Sequence, residues 1–166
     1  MTTTEKTALL SAEVRAEIDR WVAKYPPEHK RSAVLSALSA VQEANGGWLT
    51  NELMDAVAEY LGMPTIAVYE VATFYSMFDL KPTGRHKISV CTNISCMLCG
   101  GEDIVRHIEQ KYDVKLGGTT PDGRFTLKRE EECLAACCGA PMMAVDGHYH
   151  EHLTPAKVDA ILDGLE

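Results

Sequence analysis

The chain of 166 residues holds six cysteines in two groups, Cys91, Cys96 and Cys99, then Cys133, Cys137 and Cys138, and none before residue 91. Grouped thiols in a reducing compartment are more often metal ligands or redox groups than a disulfide framework. Four thiolates brought together from two loops can bind one zinc ion tetrahedrally or hold an iron–sulfur cluster. Structural zinc favours pairs two to four residues apart, and Cys91-x4-Cys96 with Cys133-x3-Cys137 sits at the wide end of that range. An x4 loop is long enough to wrap one iron while backbone N–H groups face the sulfurs, so the spacing favours an iron–sulfur cluster. A thioredoxin-type dithiol fits less well, because Cys96-x2-Cys99 lacks the usual flanks and is crowded by Cys91. Six unconnected buried thiols are the bland alternative, and two clusters of three speak against it. Spacing leaves the ligand set open. Cys91, Cys96 and Cys99 with one distant cysteine form the plant-type ferredoxin pattern; the rival set is Cys91, Cys96, Cys133 and Cys137.

Other chemistry is sparse. No Gly-x-Gly-x-x-Gly and no Gly-x4-Gly-Lys-Ser/Thr occurs, so nothing in the sequence cradles a dinucleotide or a phosphate. His148, His150 and His152 alternate as on one face of a strand, and beside a turn they read as solvated imidazoles before a metal patch. Glu130, Glu131 and Glu132 abut Cys133; such a run is usually a wet surface, but next to a cluster it is expected to disfavour an added electron. Sixteen Lys and Arg against 24 Asp and Glu leave a net charge of −8, which repels a phosphate backbone and an anionic membrane surface. No apolar stretch reaches the roughly 18 residues of a spanning helix, and residues 1–14 show no secretory or transit pattern. A cytoplasmic protein is expected, with no nucleic-acid partner and no direct membrane insertion.

The elements that must position the thiols follow from periodicity. Ser11 caps a helix with Val14, Ile18, Trp21 and Val22 on one face, stopped by Pro26-Pro27. Val34, Leu35, Leu38 and Val41 mark a second helix, ended at Gly46-Gly47. Thr50 caps a third with Leu53, Val57, Tyr60 and Leu61 inward and Gly62 beyond its end. Pro64 opens a fourth over 65–78, aromatic on several faces and so expected to be covered on more than one side, in the core or against a partner. The turn at Gly62-Met63-Pro64 permits a helix-turn-helix reading, but no basic stripe accompanies it and plain helical packing is preferred. Beyond the boundary at Lys81-Pro82-Thr83-Gly84 the period changes. Strands are expected over 86–91, 124–128 and 142–145, a helix over 100–112, a hairpin turn at Asp146-Gly147, and a closing helix capped by Thr154. The order β-α-β-β-β-α makes the second half a small α/β sandwich.

Two stretches, Cys91-Thr-Asn-Ile-Ser-Cys96-Met-Leu and Cys133-Leu-Ala-Ala-Cys137-Cys-Gly-Ala-Pro141, resemble the small 2Fe–2S subunit family of NADH:quinone oxidoreductase, respiratory complex I. Val68-Tyr-Glu-Val-Ala-Thr-Phe-Tyr75 resembles the same family's first-half motif, so the likeness spans nearly the whole chain, and the length suits the bacterial members. The resemblance implies an α+β fold: a helical N-terminal region over 1–80 and a thioredoxin-like 2Fe–2S domain over 81–166. It implies one 2Fe–2S cluster on Cys91, Cys96, Cys133 and Cys137, with Cys99 and Cys138 outside the ligand pattern. It also implies that FMN and NADH sit in a partner subunit, that this chain is not catalytic alone, and that other complex I subunits surround it. The expected site is the peripheral arm, on the cytoplasmic side of the inner membrane. Subunits of NAD-linked hydrogenases and formate dehydrogenases look similar, and a zinc-stabilised interaction module or a free thiol oxidoreductase are the readings from other classes.

Overall fold

The computed structural model describes residues 7–128 and 133–166, and the chain divides into two compact units, Met1–Pro82 and Thr83–Glu166. The first is helical: α1 (Ala12–Val22), α2 (Val34–Ala44), α3 (Asn51–Leu61) and α4 (Thr65–Phe74). The caps are those expected. Ser11 Oγ accepts the Val14 N–H and Thr50 Oγ1 the Leu53 N–H, each at 3.2 Å, satisfying a donor that the first turn leaves unpaired. Gly62 closes α3 in the left-handed region at φ 66°, which costs a residue without Cβ little. Val14, Ile18, Leu38, Val41, Val57, Leu61 and Val68 meet in one apolar core.

Three features depart from expectation. Helix α1 stops at Val22, ahead of Pro26-Pro27 as expected, but Pro27–Ala33 then form short 3-10 turns broken at His29 (φ −113°, ψ 18°). Trp21 stays half-buried, giving its indole N–H to Glu17 Oε1 at 2.7 Å while Lys24 Nζ lies 3.3 Å from the ring centroid. Helix α4 stops at Phe74, not near residue 78. Tyr75 turns extended (φ −89°, ψ 123°), and the Gln42 side chain of α2 takes over the next stretch, donating to Met77 O at 3.1 Å and accepting from Asp79 N at 2.7 Å. Within this unit Phe74 is 80% exposed and Phe78 6%, so the unit's own core covers the aromatic run only in part.

The second unit is a mixed four-stranded sheet covered by helices. It runs β1 (His86–Val90), α5 (Ile94–Leu98), α6 (Gly101–Tyr112), β2 (Phe125–Leu127), β3 (Met143–Val145), β4 (His148–His150) and α7 (Pro155–Leu162). Strand order is β2-β1-β3-β4. β1 pairs parallel with β2 and antiparallel with β3, and β3 pairs antiparallel with β4. The two-residue period places Ile88, Val90, Phe125, Leu127, Met143 and Val145 on one face, where Ile104 and Ile108 of α6 and Val158 and Leu162 of α7 bury them. Across these helices His107 Nε2 meets Asp159 at 2.7 Å, and Lys111 and Tyr112 both reach Asp163 at 2.8 Å. Helix α5 is absent from the sequence expectation; five residues are too few to show a period. The fold is α+β throughout.

His86 at the start of β1 gives a pH-dependent contribution to stability. Its Nδ1 lies 2.7 Å from Asp146 Oδ2 and its Nε2 3.0 Å from the Glu166 carbonyl. The Asp146 carboxylate, against the opposing effect of burial and with help from the Glu166 carbonyl, holds the imidazole above its ordinary pKa. A raised folded pKa stabilises fully below the unfolded value of about 6.5 and is lost as pH rises through the folded value. The melting temperature is therefore expected to fall as pH rises from about 6.5, and Asp146→Asn to flatten that fall. Asn suits the left-handed conformation at this position (φ 49°). Thermal denaturation of both proteins over this pH range checks it; parallel pH profiles refute it.

Candidate functional site

The antiparallel pairing of β1 with β3 decides where the thiols meet. Val90 at the end of β1 lies opposite Met143 at the start of β3, and the Cys91 N–H extends the ladder by one bond to Met142 O at 3.1 Å. The segment leaving β1, with Cys91 and Cys96, thus runs beside the segment entering β3, with Cys133 and Cys137. Both come out at the same end of the sheet.

There a cleft of about 180 Å³ is lined by Cys91, Asn93, Ile94, Ser95, Cys96, Cys133 and Cys137. Cys91 and Cys96 are buried, packed with Met142, whereas Cys133 and Cys137 are exposed. The sulfurs of Cys133 and Cys137 stand 3.7 Å apart. Two thiolates about 2.3 Å from one tetrahedral metal are separated by about 3.8 Å, so this pair already has the spacing that a single metal demands. Cys91 Sγ is in hydrogen-bond contact with Cys96 and Cys133. Among the described residues no three His, Cys, Asp or Glu side chains close around a single metal-ion position; the thiols line the cleft as two pairs. Four soft donors in two pairs suit a binuclear iron–sulfur centre by their chemistry.

Backbone donors face the sulfurs. Burial raises the Cys91 pKa, but the N–H groups of Leu134 and Asn93 and the thiols of Cys96 and Cys133, which all favour its thiolate, outweigh burial and hold it below the usual thiol value. Burial, with Cys91 as the acceptor of its thiol, pushes Cys96 up to about 11 although the Met142 N–H opposes this. At Cys133 the Ala135 N–H favours the thiolate, yet the neighbouring Cys137 and desolvation leave the thiol raised. To deliver its N–H, Ala135 adopts φ 60°, a conformation costing a non-glycine residue about 1–2 kcal/mol.

Cys99 ends α5 and Cys138 lies in the 3-10 turn Cys137–Gly139; both are exposed and neither lines the cleft. His148 and His150 alternate along β4, but His152 lies beyond the strand at φ 49°, with its N–H on Gly139 O, so the three do not share one strand face. The acidic run Glu130, Glu131 and Glu132 lies outside the described residues. Sequence reasoning missed the donors Leu134, Ala135 and Met142, whose role is carried by the backbone and leaves no trace in residue type. It also missed the tight seat of α6. A Cβ on Gly101 would lie 2.8 Å from Cys91 O and 2.9 Å from Cys96 O, and the Gly100-Gly101 pair was the visible signal.

Residues 18–166 match the family model of the Thioredoxin-like [2Fe-2S] ferredoxin. The chain is 47% identical to the E subunit of NADH-quinone oxidoreductase from Rickettsia bellii (strain RML369-C) over 144 residues, 87% of this chain and 86% of that one. It is 48% identical to the protein of the same name from Rickettsia conorii (strain ATCC VR-613 / Malish 7), over 87% and 86% of the two chains. With the E 2 subunit of NADH-quinone oxidoreductase from Rhizobium meliloti (strain 1021) it shares 43% over 92% and 88%. Among solved structures, a chain of the NAD+-reducing [NiFe]-hydrogenase in the air-oxidized state superposes with a TM-score of 0.64 at 20% identity, covering 76% of this chain. This chain spans 22% of that hydrogenase chain, and at such identity the likeness concerns the fold alone.

Proposed function

We propose that this chain, which belongs to the thioredoxin-like [2Fe-2S] ferredoxin family, carries electrons as the 2Fe–2S subunit of an NADH:quinone oxidoreductase, with its single cluster on Cys91, Cys96, Cys133 and Cys137. The observation that carries the ligand set is the cleft in which these four thiols, and neither Cys99 nor Cys138, line the wall, with Cys133 and Cys137 at 3.7 Å. A bound 2Fe–2S cluster takes up and gives back one electron at a time. The protein's part is to supply two thiolate pairs, to keep Cys91 and Cys96 out of water, and to aim the N–H groups of Asn93, Leu134, Ala135 and Met142 at the sulfurs. The cluster domain is the half from residue 81 onward, and residues 1–80 form a helical N-terminal region.

As the family resemblance implies, flavin and NADH sit in a partner subunit, and this chain, which has no Gly-x-Gly-x-x-Gly or Gly-x4-Gly-Lys-Ser/Thr motif, serves as a one-electron store beside that flavin. Relatives at 43% to 48% identity that bear the quinone-oxidoreductase name support this setting over that of a hydrogenase or formate dehydrogenase. Membership of a 2Fe–2S family disfavours the zinc module and the free thiol oxidoreductase. The chain sits in the peripheral arm on the cytoplasmic side of the inner membrane. Among the described residues no helix is long and apolar enough to cross a membrane, in keeping with that position.

Anaerobic purification is expected to yield a red-brown protein with iron and acid-labile sulfide in equal amounts. The flavin-free chain is expected to leave NADH unoxidised, while adding the flavin-bearing subunit with NADH reduces its cluster. A colourless protein containing zinc, or NADH turnover by the pure chain, refutes the proposal.

A further inference from the structure

We propose that the Ser95 hydroxyl donates a hydrogen bond to the sulfur atoms of the 2Fe–2S cluster and so raises its reduction potential. The inference rests on the cluster site described above. Among the described residues, three line the cleft besides the four thiols: Asn93, Ile94 and Ser95. Ile94 has no side-chain donor. Asn93 already gives its N–H to Cys91 and has further interactions of its own. Ser95 directly precedes the buried ligand Cys96, and its backbone is fixed in α5, where its carbonyl accepts the Cys99 N–H at 3.2 Å. Among the described residues it is the one hydroxyl-bearing residue of the cleft lining.

The sign follows from charge. Reduction adds one negative charge to sulfurs that are already anionic, so a donor beside them stabilises the reduced cluster more than the oxidised one. The backbone donors of Asn93, Leu134, Ala135 and Met142 act in the same direction but survive any substitution at their positions except by proline. Ser95 carries its donor on a side chain and is exposed on α5, so its removal leaves the cores of the unit intact.

The test uses the full chain purified with its cluster. Ser95→Thr keeps a hydroxyl and Ser95→Val has nearly the same shape without one, so the pair isolates the hydrogen bond. In dithionite titrations followed by EPR, Ser95→Thr is expected to keep a midpoint close to the wild type, while Ser95→Val and Ser95→Ala shift to lower potential. Iron, sulfide and the visible spectrum stay unchanged in all three. Equal midpoints across the series overturn the proposal. So does loss of the cluster from the Val and Ala variants, because Ser95 is then a folding residue. A wild-type chain without iron and sulfide overturns the functional reading instead, so the two failures are told apart.

Discussion

Cys91→Ser, Cys96→Ser, Cys133→Ser and Cys137→Ser are each expected to lose or reshape the visible and EPR spectra of the cluster, while Cys99→Ser and Cys138→Ser keep them. The first four thiols line one cleft and the last two lie off it. Serine oxygen is a harder ligand than thiolate and suits iron–sulfur chemistry less well, so an altered spectrum with retained iron counts with outright loss. The effects are expected to be graded. Cys91 and Cys96 are each 2% exposed; replacing either also leaves a buried hydroxyl, an additional cost of about 1–3 kcal/mol where it finds no partner. Cys133 and Cys137 are exposed, so their serine variants should fold as well as the wild type and change only the metal site. A melting curve beside each spectrum separates the two effects. If Cys99→Ser destroys the cluster and Cys133→Ser leaves it unchanged, the ligands follow the plant-type ferredoxin pattern and the proposed set is wrong.

What the sequence revealed divides along a physical line. Features that depend on near neighbours were legible: the caps at Ser11, Thr50 and Thr154, the left-handed Gly62, and the strand that opens the second half at His86. Features set by a distant group were not. Nothing in Val68–Phe78 announces that the helix stops at Phe74, and the stretch beyond it is held by Gln42, far back in the chain on α2, which bonds Met77 and Asp79. At the cleft, the cysteine types and spacings were plain, and the resemblance singled out four of them. Their convergence depends on the antiparallel register of Val90 with Met143, which spacing does not encode. Helix α5, Ile94 to Leu98, is too short to show a pattern of its own.

Gly101→Ala is expected to damage the cluster site with a single added methyl group. Gly101 begins α6 with its Cα pressed against the two ligand-bearing turns, and an added Cβ would stand 2.8 Å from Cys91 O and 2.9 Å from Cys96 O. Both obstacles are backbone atoms, one belonging to the residue that ends the β1 ladder, so neither can swing away as a side-chain tip does. Either α6 lifts off the sheet face buried by Ile104 and Ile108, or the loop carrying Cys91 and Cys96 shifts. Overpacking of this kind costs about 1–3 kcal/mol, and a shifted loop also moves one thiolate pair relative to Cys133 and Cys137. The adjacent Gly100→Ala is the control. It is strained as well, since Gly100 sits at φ 90°, but its Cβ would meet nothing closer than Asp103 Oδ2 at 3.6 Å. Both variants are therefore expected to melt earlier than the wild type, while Gly101→Ala alone loses iron per chain and changes its EPR signal. Full iron occupancy and an unchanged signal in Gly101→Ala would show that the ligand loop does not depend on the close seat of α6, and that the cleft keeps its shape by the β1–β3 pairing alone.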